Sequence, residues 1–79
     1  MFTTSIKLKT IENAMGFSND IRNVETDIDL GSGRYIIDAK SIMGLFSLDL
    51  SKSINLMAHT DDADIIKRIE EIVKKYSEE

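Results

Sequence analysis

Glu25-Thr26-Asp27-Ile28-Asp29-Leu30, then Gly31-Ser32-Gly33, then Arg34-Tyr35-Ile36-Ile37-Asp38-Ala39 follow one another through the middle of the chain. In the first six residues Thr26, Ile28 and Leu30 share one face, and Glu25, Asp27 and Asp29 share the other. A period of two is that of a strand with one wet side. The glycine turn and the returning residues 34–39 predict a β-hairpin. On the returning strand Tyr35, Ile37 and Ala39 are expected to point inward, with Ile36 and Asp38 outward. Such a pair needs apolar cover on one face only.

The flanking segments supply that cover. Residues 2–9 alternate, with Phe2, Thr4, Ile6 and Leu8 opposite Thr3, Ser5, Lys7 and Lys9. Thr10 suits a helix N-cap, and Glu12 falls in the first turn, where the dipole favours an acid. Ile11, Ala14, Met15, Phe17, Ile21 and Val24 follow at near-helical spacing, interrupted by the poor helix formers Gly16 and Asn19. Beyond the hairpin, Ser41 opens a short helical stretch over residues 42–48, with Leu45 and Leu48 as its core face. Residues 53–59 alternate again, Ile54, Leu56 and Ala58 inward and Asn55, Met57 and His59 outward. Asp61 or Asp62 caps a last helix with Ile65, Ile69, Ile72 and Tyr76 on one stripe, Ile66 and Val73 beside it. Lys74 and Lys75 sit in its final turn. The order β-α-β-β-α-β-α predicts one α+β domain over residues 1–79. It is an open-faced β-sandwich, a four-stranded antiparallel sheet with three helices on one face.

Composition narrows the function classes. Seventy-nine residues, 42% hydrophobic and 30% charged, fit one small globular domain. A chain this short buries only about 60% of its unfolded surface, which argues against a self-contained enzyme with a deep, dry cleft. With no cysteine and one histidine, neither a thiolate metal site nor a paired-imidazole site is available, and no cofactor is expected. Ten basic against 14 acidic residues give a net charge of −4, so no general attraction to nucleic acid or anionic lipid is expected. No apolar run reaches the roughly 20 residues of a membrane span. The first ten residues lack the pattern of a signal peptide, and a cytoplasmic monomer is the expectation.

The run Asp38-Ala39-Lys40-Ser41-Ile42-Met43-Gly44-Leu45-Phe46-Ser47-Leu48, set in that element order, resembles the HPr family of the bacterial phosphotransferase system. Lys40-Ser41-Ile42-Met43-Gly44 matches the signature of its Gram-positive members. The resemblance implies the open-faced sandwich reached above from periodicity. In the family, a histidine at the start of the first helix, within Gly-(Ile/Leu)-His-Ala-Arg-Pro-Ala, takes phosphate from enzyme I. Here the matching stretch is Lys9-Thr10-Ile11-Glu12-Asn13-Ala14, after a shorter loop. Thr10 stands at the histidine position and Glu12 at the arginine position. A hydroxyl un-ionised at pH 7 beside a carboxylate is a poor substitute for an imidazole beside a cation. The expectation is therefore a regulatory, protein-docking module without the histidine phosphocarrier chemistry.

The resemblance further implies that Ser41 is phosphorylated by an ATP-dependent HPr kinase/phosphorylase. It implies that Ile42, Met43 and Phe46, flanked by Lys40 and Lys52, meet protein partners such as a LacI-type catabolite regulator. Each feature has a plainer reading. Ser41 also suits an ordinary N-cap, the three apolar residues could pack on the sheet end or first helix, and the lysines could simply be solvated. His59 is either a replacement phosphoacceptor or, the reading preferred, a solvent-facing strand residue. Asp27, Asp29 and Asp38 read as solubilising charges more than as a cation site. Residues 61–64 lack the glycine and glutamate of a calcium loop. The alternatives are a divergent phosphocarrier in sugar uptake using Thr10 or His59, and a small self-associating structural domain.

Overall fold

The central hairpin turns on two residues, Gly33 and Arg34. Gly33 has φ 60°, and Arg34 stays out of the positive-φ region. Those signs suit a two-residue type II′ turn, which glycine enters without a Cβ penalty. This computed structural model of the protein describes residues 1–77. Strands β1 (Phe2–Ile6), β2 (Ile28–Ser32), β3 (Tyr35–Asp38) and β4 (Ile54–Ala58) alternate with helices α1 (Ile11–Ile21), α2 (Ile42–Phe46) and α3 (Ala63–Tyr76). The strands form one sheet in the order β1-β4-β2-β3, and every neighbouring pair is antiparallel.

Register sorts the side chains into rows. Thr4, Leu56, Leu30 and Ile37 lie opposite one another on the helix side. Thr3, Met57, Asp29 and Asp38 form a row on the other side, and Ser5, Asn55, Gly31 and Ile36 form the next. The helix-side row closes on Ala14, Phe17 and Ile21 of α1, Leu45 of α2 and Ile69 of α3, all fully buried. The opposite rows have no helix over them. This is the open-faced sandwich that the periodicity predicts.

Several local expectations change. β1 stops at Ile6, although Leu8 still reaches the core. β2 starts at Ile28 and takes in Gly31 and Ser32, so Thr26 lies off the sheet; its hydroxyl donates to the His59 carbonyl, 3.1 Å away. Tyr35 has inward parity but is 72% exposed, because the hairpin tip extends past the helices. Ile11 and Met15, two members of the near-helical apolar series, are 61% and 53% exposed. The buried set Ala14, Phe17, Ser18 and Ile21 centres the inner face elsewhere, and Met15 lies about 100° from Ala14 around the helix. α1 ends at Ile21 rather than at Val24, α2 at Phe46 rather than residue 48, and His59 follows β4 instead of belonging to it.

The helix ends follow local chemistry. Thr10 caps α1 and Ser41 caps α2. Of the two candidates for α3, Asp62 is the cap, its carboxylate accepting from the amides of Asp64 and Ile65. Asp61 instead pairs with the terminal amine of Met1 at 2.6 Å. Gly16 has a packing role as well as a helix-weakening one. A Cβ there would collide with the Tyr76 ring, whose Cζ lies 2.9 Å from that position. Tyr76 in turn donates its hydroxyl to Asp20 Oδ2 at 2.9 Å, locking α3 to α1.

Candidate functional site

Ser41 sits where β3 hands over to α2. Its backbone is extended (φ −94°, ψ 107°), and its Oγ accepts the Gly44 N–H at 3.2 Å. Its own N–H donates to the Asp38 carbonyl at 3.0 Å, and its carbonyl accepts from Leu45 at 3.1 Å. The residue is thus fixed in place while its side chain remains exposed. Lys40, just before it, is tied down rather than free. Its Nζ donates to the Val24 carbonyl at 2.8 Å, its amide to Asp38 Oδ1 at 2.9 Å, and Arg22 Nε donates to its carbonyl at 3.3 Å. Those bonds fasten the Ser41 loop to the segment after α1.

Along α2, Leu45 points into the core while Met43 is 76% and Phe46 44% exposed. Ile42 is half-buried and forms one wall of a groove of about 330 Å³. Met15, Ser18 and Asn19 of α1 and Arg22, its C-cap, form the rest of that groove. Met15 and Ile11, which the sequence reading placed in one apolar series with Ala14, Phe17 and Ile21, are both exposed, and of the two Met15 lines the groove. The stripe Ala14-Phe17-Ile21, taken without Met15, is the signal that finds them. Lys52 lies beyond α2, exposed, with Nζ 3.9 Å from Asp49 Oδ2. Asp49 accepts from the hydroxyl of Ser51 at 2.6 Å and from its amide at 3.0 Å. The hydroxyl bond, then the amide bond, then the Lys52 charge hold the Asp49 carboxyl below its ordinary value.

Thr10 occupies a comparable place at the start of α1. Its Oγ1 accepts the Asn13 N–H at 3.1 Å, and exposed Glu12 follows in the first turn. Only Lys7, Leu8 and Lys9 separate β1 from this cap. The chain makes the corner by placing Lys9 in the left-handed region, φ 67°, with its amide donating to the Leu50 carbonyl at 2.8 Å. The site thus holds a capping hydroxyl beside a carboxylate.

His59 lies at the other end of the sheet. It follows Ala58, which pairs with Phe2, whereas Thr10 lies beyond Ile6, the partner of Ile54. Four residue steps along the strand separate those ends, roughly 13 Å. His59 Nε2 lies 2.8 Å from Asp29 Oδ2, and the His59 amide donates to the Asp27 carbonyl at 2.9 Å. With Asp38 occupied by the Lys40 amide, the acidic series is divided between separate tasks. Among the described residues no three His, Asp or Glu side chains gather closely enough to hold a metal ion. No described helix is long and apolar enough to cross a membrane.

No family model and no curated protein matches the sequence. Solved structures do. An HPr of Thermoanaerobacter tengcongensis superposes with a TM-score of 0.77 at 26% identity, over 100% of this chain and 99% of that one. The phosphocarrier protein HPr of Bacillus anthracis gives 0.74 at 18% identity, over 98% and 96% of the two chains. Crh, a catabolite repression protein of Bacillus subtilis described as a domain-swapped dimer, gives 0.65 at 22% identity, over 94% and 88%. Together with the βαββαβα order and the Lys40–Gly44 run, these superpositions show that the chain has the HPr-family fold.

Proposed function

We propose that this protein is a phosphotransferase-system-related regulatory module of HPr type, modified on Ser41 and docking through Ile42, Met43 and Phe46. The observation that carries the reading is the Ser41 site. An exposed hydroxyl, held by a fixed backbone, adjoins exposed Met43 and Phe46 on one short helix. No base within hydrogen-bonding range activates that hydroxyl among the described residues, so an external kinase must remove its proton. An HPr kinase/phosphorylase would transfer the γ-phosphoryl group of ATP to Oγ and release ADP. The product adds about −1.5 to −2 charges beside the apolar patch. A LacI-type catabolite regulator reading that state needs an Arg or Lys opposite Ser41 and an apolar pocket for Met43, a side chain suited to varied partner surfaces. Lys52 is the cation left to face an acidic partner, while Lys40 positions the loop.

The enzyme I arm of the family is disfavoured by the cap geometry of Thr10 and the distance of His59. The test is phosphorylation in two reactions, one with ATP and HPr kinase/phosphorylase, the other with phosphoenolpyruvate and enzyme I. Mass spectrometry should show one phosphate in the first reaction, absent from Ser41→Ala. An acid-labile phosphate in the second, lost in His59→Ala, would overturn the proposal in favour of a divergent phosphocarrier.

A further inference from the structure

β3 is an edge strand guarded only by its shortness and by one acid, Asp38. Tyr35 is 72% and Ile36 68% exposed, and the strand Tyr35-Ile36-Ile37-Asp38 contains neither lysine nor proline. Natural sheets protect such edges with charge, proline, a bulge or a covering segment. Ladder parity shows which backbone groups are free. The two-residue turn makes Ser32 and Tyr35 the closing bonded pair, and the Ala39 amide donates to the Ile28 carbonyl at 2.9 Å. Ile36, midway between bonded positions, therefore points its N–H and C=O away from β2. Outside the sheet no backbone bond reaches them from any described residue.

We infer that the β3 edge pairs with the β3 edge of a second copy of this chain, antiparallel about a two-fold axis through Ile36. The sequence of the strand is self-complementary in that register. Ile36 faces Ile36 of the second copy and exchanges both backbone bonds with it. Tyr35 then lies opposite Ile37 on the helix side, where Ile37 is already half-buried. Arg34 lies opposite Asp38, and the two-fold makes this contact twice. Arg34 is exposed and has no ion-pair partner among the described residues, and Asp38 spends only Oδ1 on the Lys40 amide. Opposite charges directly across a ladder favour the register, and like charges oppose it. The other edge, β1, reads Phe-Thr-Thr-Ser-Ile and brings no such charge pair. An isologous contact of this kind closes at two copies. A four-residue edge falls well short of the roughly 1,200 Å² of a standard stable interface, so the dimer forms at high concentration and exchanges quickly.

Sedimentation velocity on the full chain should show an average mass rising from 8.9 kDa toward about twice that value as concentration rises from about 10 μM to 1 mM. Amide shifts over the same range should centre on residues 34–38. Ile36→Lys should abolish the rise while leaving the melting temperature unchanged. Arg34→Glu and Asp38→Arg should each be monomeric alone, because each sets like charges opposite one another. Mixed together they should associate, since both cross-strand pairs are then opposite in sign. A wild type that stays monomeric at 1 mM would overturn the inference. So would association that survives Ile36→Lys, or shifts centred on Met43 and Phe46. If Asp38→Arg melts early, Arg34→Glu mixed with Asp38→Asn gives the fallback, with association stronger than in Arg34→Glu alone.

Discussion

Ser41→Ala removes the side-chain acceptor of the Gly44 amide, and a lost N-cap costs about 1 kcal/mol. In a domain of this size that lowers the melting temperature by about 4–8 °C. Ser41→Asp, whose carboxylate also caps, should melt close to the wild type; differential scanning calorimetry separates the two. Asp49 gives a pH prediction. Its carboxyl titrates lower in the fold than its unfolded value of 3.8, chiefly through the Ser51 hydroxyl. Its stabilisation is thus complete above that value and is lost as pH falls through the lower folded one. Asp49→Asn should flatten the stability curve only on that acid limb, as measured by urea unfolding at stepped pH. Caps such as Thr10 and Ser41 were legible in the sequence because donor and acceptor lie three residues apart. The role of Lys40 was not, because its partner, the Val24 carbonyl, lies 16 residues away and is set only by packing.

At the scale of the element, α1 and α3 meet at a position where a small residue is required. Gly16→Ala should gain up to about 1 kcal/mol in helix propensity, yet the new methyl must displace the Tyr76 ring. The net effect expected is a loss of about 1–3 kcal/mol, with the Tyr76–Asp20 bond broken. In Tyr76→Ala the same glycine substitution should become stabilising, and the sign reversal is read from paired chemical denaturation curves. Alternation revealed all four strands because each has one wet face. Strand ends were less visible, since the Ile28 start depends on pairing with Ala58 and Ala39. Tyr35 shows the limit clearly. Its parity was correct, but parity gives the face and says nothing of how far the helices extend over it.

At the scale of the molecule, the side chains proposed for docking lie outside the buried core. Met43→Ala removes a 76% exposed side chain and should change stability by no more than about 0.5 kcal/mol, whereas Phe46→Ala, at a position 44% exposed, should cost about 1 kcal/mol or more. Both should weaken a partner that reads phosphorylated Ser41, as measured by calorimetric titration with the enzymatically modified protein. The fold was legible because elements and faces alternate regularly; the exposure of Met15, on the α1 side of the groove, was hidden by its helical spacing. Sheet order has one more consequence. β1 has a single neighbour, β4, some fifty residues further along the chain. The first of these four strands to leave the ribosome is therefore still unpaired when the others have emerged as far as β3, and β2 too stays without its inner partner until residues 54–58 emerge. Until then only the β2–β3 hairpin can form its ladder. Vectorial synthesis thus delivers an incomplete sheet, and completion waits for one late strand that joins both halves at once.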